Sequence, residues 1–246
     1  MSPIVRTKDS MLKALTRREA LGVFGAVGAA LAAACGDSPT APTSTSTTST
    51  TATTTTTTAS TNAACAVTPT ETAGPFPSLT DLFRSDIREG RSGTQLTLTV
   101  QVVNVNSSCA PVANAQVEIW HCDVAGAYSQ YGSVANQTFL RGIQTTDGTG
   151  RVTFVTIYPG WYQGRATHIH IEATVNGRSV KVSQIAFPES VNNVVHTSGV
   201  YASRGSNPMS NASDGIFSDS LASELVTPTG SVAGGYASSF QLGVAV

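Results

Sequence analysis

The run His168-Ile-His-Ile-Glu-Ala-Thr-Val175, followed by Asn176-Gly177 and then Ser179 to Ala186, leaves this chain little choice of local structure. A repeat of two is the period of a β-strand, and Asn-Gly is the dipeptide that best accepts the left-handed backbone of a tight hairpin turn. The segment is therefore expected to be an antiparallel hairpin. Its alternation puts His168 and His170 on one face and Ile169 and Ile171 on the other. The chain has four histidines, His121, His168, His170 and His196, so this pairing uses half of them.

Other segments repeat the pattern. Thr94 to Asn104 alternates apolar and polar residues, and Val117-Glu-Ile-Trp-His-Cys-Asp123 and Phe139 to Thr145 read as further strands. Asp147-Gly-Thr-Gly150 carries the strongest hairpin signal, joining Phe139–Thr145 to Arg151–Ile157. Short strands divided by Gly, Asn and Asp turns, with no long amphipathic helix, predict an all-β fold. The expected form is a β-sandwich of mainly antiparallel strands with long loops. Beyond Pro188 the sequence reads as Ser/Asn/Gly-rich loops, with a last strand over Ser238–Val246.

The first 64 residues are of a different kind. Arg17-Arg18 precede a short apolar stretch from Ala20 to Ala34, the layout of a twin-arginine export signal over residues 1–35. Leu31-Ala-Ala-Ala-Cys35 resembles a lipoprotein cleavage box, displaced by one position, which would acylate Cys35. Residues 36–64 are nearly all Thr, Ser, Ala and Pro, a composition that cannot offset ordering entropy and reads as a disordered tether. The expectation is an exported bacterial protein, periplasmic or cell-surface, whose only membrane attachment is a lipid on Cys35. Residues 65–246 then form one domain with a substantial core.

With 14 basic and 15 acidic residues and no basic patch, nucleic acid is excluded as a partner. In an oxidising compartment Cys65 and Cys109 are expected to pair, with Cys122 a buried free thiol inside a strand. No cysteine spacing resembles a zinc site.

Two neutral imidazoles on one strand face are half of a metal site, and Tyr162 and Arg165 lie just upstream. Around them the chain contains, in order, Glu71-Thr-Ala-Gly-Pro-Phe-Pro77, Trp120-His-Cys-Asp-Val-Ala-Gly-Ala-Tyr-Ser129, Phe139-Leu-Arg-Gly142, Thr156-Ile-Tyr-Pro-Gly-Trp-Tyr162 and Gly164-Arg-Ala-Thr-His-Ile-His170. That ordered set resembles the intradiol ring-cleavage dioxygenases, the catechol and protocatechuate dioxygenase family, from about Cys65 to Phe217. The long helical N-terminal region of the cytoplasmic catechol enzymes is missing, so the chain looks more like the small exported members.

The resemblance implies a mononuclear non-haem Fe(III) held by Tyr128, Tyr162, His168 and His170. It implies Arg165 as the active-site arginine, Gln184 as a glutamine bordering the substrate, and Tyr162 as a proton acceptor. The substrates would be a small aromatic diol and O2, and the product a muconate-type diacid. The donor chemistry is consistent, because phenolate oxygen suits a hard trivalent cation.

Other readings compete. Tyr158 rivals Tyr162, Glu172 shares the histidine face and would complete a two-histidine, one-carboxylate site, and the histidine pair alone would suit copper or zinc. A non-catalytic, surface-tethered β-sandwich binding module is the alternative to an enzyme. His121 and Asp123 read as structural, and His196 as a loop residue without a partner.

Overall fold

The computed structural model describes residues 65–246, so the export signal, Cys35 and the 36–64 tether lie outside the described residues. Among these residues the chain forms β1 (Gln95–Asn104), β2 (Ala110–Pro111), β3 (Gln116–Trp120), β4 (Arg141–Thr145), β5 (Arg151–Ile157), β6 (His168–Val175) and β7 (Arg178–Ala186). Then come helix α1 (Glu189–His196), a short turn of helix α2 (Leu221–Glu224), β8 (Thr229–Ser231) and β9 (Gly235–Val244). Two sheets result. One runs β2-β1-β9-β8, with β5 also on β1, and the other runs β4-β3-β6-β7. The all-β sandwich expected from the sequence is the fold observed.

The alternation in β1 shows why the sheets stack. Leu96, Leu98, Val100 and Val102 are fully buried while Thr97, Thr99 and Gln101 between them are not. Those four meet Ile119 of β3 and Ile169, Ile171 and Ala173 of β6 in one apolar core. Each such aliphatic side chain contributes about 1.5–3 kcal/mol by leaving water. With the isoleucines of β6 turned inward, His168 and His170 project from the outer face of the second sheet. Loops bury that face, and both histidines are almost wholly enclosed.

Four local expectations need correction. The Asp147–Gly150 turn forms, with Gly150 N–H donating to Asp147 O at 2.9 Å, but it is not a hairpin, because β4 pairs with β3 and β5 pairs with β1. Thr146 N–H donates to Ala115 O at 2.8 Å and Val102 N–H donates to Gly150 O at 2.8 Å, so the two ends of the turn are drawn to opposite sheets. The strand expected from Phe139 begins at Arg141, since Leu140 has φ +57° and breaks the extension. Cys122 is buried and unpaired, but it lies beyond the end of β3 rather than within it. The segment after Pro188, expected as loop, also holds α1.

The opening segment ties both sheets together. A disulfide joins Cys65 to Cys109. Thr68 N–H donates to Gly243 O at 3.0 Å, and Thr68 Oγ1 accepts from Gly243 N–H at 2.8 Å. Lys181 Nζ then donates to Thr68 O and Thr70 Oγ1, both at 2.7 Å. The disulfide closes a loop with a sequence separation of 44 residues. Reduction, or a Cys65→Ser/Cys109→Ser variant, is expected to lower stability by about 2–4 kcal/mol through restored loop entropy in the unfolded chain. Urea midpoints with and without dithiothreitol measure this, and coincident midpoints would contradict it.

Candidate active site

The site begins with the register of the second sheet. Trp120 on β3 and Gln184 on β7 both pair with His170 on β6. The Trp120 indole lies on the His170 ring, with centroids 4.9 Å apart and planes within 3°. That contact fixes the imidazole's orientation. His168 Nδ1–H donates to Ala166 O at 2.6 Å, which leaves its Nε2 with an open lone pair. The two Nε2 atoms stand 3.1 Å apart. His170 Nδ1 is buried with no hydrogen-bond partner among the described residues.

Burial decides the charge of this pair. It pulls His168 down to about 3, with the Arg165 guanidinium acting in the same direction. It pulls His170 well below the usual histidine range, helped by His168 and Arg165. Both rings are neutral at neutral pH, the state in which imidazole nitrogen binds a metal.

Two phenols join them. Tyr128 Oη lies 3.3 Å from His168 Nε2. The Tyr162 ring stands edge-on to His168 at 5.7 Å and to Tyr128 at 5.5 Å. Asp123 sets up the first phenol: its Oδ1 accepts from Ala125 N–H at 3.0 Å and Ala127 N–H at 2.9 Å, curling the loop that presents Tyr128. Burial pushes the Tyr128 phenol well above 10 and raises Tyr162, against the opposing pull of Arg165. Neither phenol would ionise here unless a strong cation stood beside it.

Tyr158 is not part of the cluster. It is fully buried in the sandwich core and donates to Asn192 Oδ1 at 2.8 Å. The two-histidine, one-carboxylate arrangement with Glu172 does not form, since among the described residues no three His, Cys, Asp or Glu side chains are placed to hold a metal. Glu172 pairs in register with Glu118 and Val182 instead.

Arg165 and Gln184 stand beside the cluster as one unit. Arg165 Nη2 donates to Gln184 Oε1 at 2.6 Å, and Gln184 Nε2 donates to Thr72 O at 2.8 Å. Residues 71–77 form a strap across the outer face. Phe76 stacks on Tyr128 at 4.7 Å and meets Tyr162 edge-on at 5.9 Å. Gly74 has φ +69°, and a Cβ there would come within 3.0 Å of His170 Cε1, so the strap needs glycine to close over the imidazole.

Several contributors carried no assigned role in the sequence. Asp214 Oδ2 accepts from Arg165 Nε at 2.8 Å and Ala166 N–H at 2.6 Å. It lies 49 residues from Arg165 in a loop without pattern, so no local signal marks it. Arg141 belongs to a quoted motif; its Nη1 donates to Phe76 O and its Nη2 to Ser129 O, and burial pulls it down to about 10. The other histidines are structural. His121 bonds to Thr156 Oγ1 at 2.7 Å. His196, expected in a loop without a partner, ends α1 and donates from Nε2 to Pro159 O at 3.2 Å.

Comparison with known proteins gives concordant matches. A family model described as Dioxygenase matches residues 75–182. The protocatechuate 3,4-dioxygenase beta chain of Burkholderia cepacia is 32% identical over 113 residues, covering 41% of this chain and 46% of that protein. The chain thus spans about half the length of that curated relative. An intradiol ring-cleavage dioxygenase structure from Tetranychus urticae is 31% identical, with a TM-score of 0.68, over 74% of this chain and 95% of the other. The dioxygenase domain of a carbohydrate-binding fusion from Streptomyces sp. SirexAA-E is 26% identical, with a TM-score of 0.57, over 74% of this chain and 99% of that domain.

Proposed function

Since this chain belongs to the intradiol ring-cleavage dioxygenase family, we propose that it is a ferric, non-haem enzyme that opens catecholic rings between their two hydroxyl-bearing carbons. The observation that carries this reading is that His168 Nε2 lies 3.1 Å from His170 Nε2 and 3.3 Å from Tyr128 Oη, with the Tyr162 ring alongside.

The residues fit the ion. Two imidazoles supply neutral donors and two phenols supply anionic ones, so a trivalent charge would be largely balanced without burying free carboxylates. Tyr128, Tyr162, His168 and His170 would hold it. When bound, Fe(III) would supply Lewis acidity that acidifies the diol and phenol hydroxyls and draws the ring into reaction with O2.

The protein's own groups do the rest. Tyr162 is half-buried while Tyr128 is enclosed, so Tyr162 Oη, as the phenolate the cation would keep ionised, is the group placed to take a proton from an incoming diol. Arg165, held by Asp214 and Gln184, offers fixed donors to negative charge that develops on the substrate. Phe76 and the 71–77 strap pack over the tyrosines and limit water. Gln184 couples the arginine to that strap through Thr72 O.

The export signal at Arg17-Arg18 and the cleavage box at Cys35 support placement outside the cytoplasm, with a lipid as the attachment. The Cys65–Cys109 disulfide suits that oxidising location.

Iron loading tests the assignment. The protein reconstituted with ferric iron is expected to show a visible charge-transfer band, bleached by dithionite, and to consume O2 with catechol while forming a ring-opened diacid. A colourless protein after loading, inert toward catechols, would favour the binding-module reading.

A further inference from the structure

Arg165 bonds through Nη2 to Gln184, the residue paired in register with His170, so it stands close to any ring held at the cluster. Its charge is already answered. Nε is paired with Asp214, which is 1% exposed on its side chain and is further held by Ala166 N–H and Ile216 N–H. Nη2 is committed to Gln184. Arg141 is committed as well, with Nε, Nη1 and Nη2 donating to Ser129, Phe76 O and Ser129 O. Every guanidinium nitrogen of Arg141 is thus engaged, and Arg165 keeps only Nη1 beyond its bonds to Asp214 and Gln184, on a guanidinium whose charge Asp214 already balances.

Carboxylates stand beyond this neutralised pair. Glu71 opens the strap, its N–H donating to Val182 O at 3.0 Å. Its carboxyl feels Asp219, Arg165 and Asp214, and burial together with Asp219 raises its pKa. Asp219 is exposed to solvent. Glu224, fully buried, accepts from Ser220 Oγ at 2.7 Å and is pushed up to about 7 by burial. The Arg165 side of the site therefore has no spare positive charge and carries residual negative charge from Glu71 and Asp219.

We infer that the site takes catechols lacking an anionic ring substituent, and that Glu71 is the specificity-determining residue that turns ring carboxylates away. The inference rests on the catechol-cleaving reading above and narrows its substrate class. A ring carboxylate entering beside Arg165 gives up hydration, finds a guanidinium already neutralised by Asp214 and meets a like charge in a partly dehydrated setting. Rejection by like charge is an effective way to separate substrates of similar shape.

The test uses iron-loaded full-length protein and three diols: catechol, 3,4-dihydroxybenzoate and 3,4-dihydroxyphenethylamine. The expected kcat/KM favours catechol and the amine over the carboxylate by roughly tenfold or more, and added salt narrows the gap. Glu71→Gln is expected to raise the carboxylate's kcat/KM relative to catechol by roughly tenfold, mainly through KM, while Glu71→Asp keeps the wild-type preference. Equal use of the carboxylate, or a preference indifferent to Glu71→Gln, would overturn the inference alone. So would carboxylate turnover that depends on Arg204, the exposed cation stacked 4.1 Å over Trp161. Turnover of none of the three diols would overturn the functional reading itself and this inference with it.

Discussion

Tyr128→Phe, loaded with ferric iron, is expected to lose at least about 100-fold of its oxygen uptake with catechol, together with most of its visible absorption. Substituting groups that merely orient metal ligands already costs 10–100-fold, so removing a donor oxygen should cost no less. The fold should survive, because the change deletes one hydroxyl and keeps the ring that stacks on Phe76 at 4.7 Å. Among the described residues the only hydrogen-bond contact of Tyr128 Oη is His168 Nε2 at 3.3 Å. A thermal midpoint near wild type alongside lost colour would separate ligand loss from unfolding. Tyr158→Phe is the matched control: it loses a bond to Asn192 in the core and should keep both colour and turnover. Full colour and activity in Tyr128→Phe would remove that phenol from the metal set.

Arg165→Met carries the second large effect, a fall in kcat of about 10²–10³ from the loss of fixed donors at developing charge. KM should change far less, and the iron spectrum should persist because no proposed ligand is altered. The variant has a structural cost too. Asp214, 1% exposed on its side chain, would keep its bonds from Ala166 and Ile216 but lose its counter-charge. Stranding one partner of a buried pair costs about 3–5 kcal/mol. Adding Asp214→Asn should restore much of that stability and none of the rate. If the double variant recovered activity, Arg165 would be a packing element and not a participant in the reaction.

What the sequence revealed and what it concealed divide along a physical line. Strands were readable wherever one face is buried, since Leu96, Leu98, Val100 and Val102 write a repeat of two directly into the chain. The β6–β7 hairpin was readable because Asn176-Gly177 is a local signal; Asn176 takes φ +51° and Gly177 φ +75°. Sheet membership was not, because the Asp147 turn has hairpin chemistry while its flanks answer to partners as distant as Val102 and Ala115. Helix α1 was hidden by its composition: Glu189-Ser-Val-Asn-Asn-Val-Val-His196 is rich in β-branched and Asn residues, which are poor helix formers.

The candidate site shows the same division. His168 and His170 share a face by strand geometry alone. Tyr128 and Tyr162 could be singled out only through their motif settings, and Tyr158, four residues from Tyr162, turned out to serve the core. Asp214 could not be found at all, because its link to Arg165 exists only once the loop after α1 has folded back over the sheet.

The bonding of Thr68 to Gly243 has a consequence for the topology of the gene as well as the protein. Asn104, close in sequence to Cys109, also donates from Nδ2 to Val246 O at 2.6 Å, so the first and last described residues are gathered at one end of the first sheet. Termini that meet in this way can be spliced by a short connector without crossing the molecule. A circular permutant could therefore be opened at Asn176-Gly177, on the end of the hairpin away from the histidines, leaving Arg165 near one new terminus and its partners Gln184 and Asp214 on the other side of the opening.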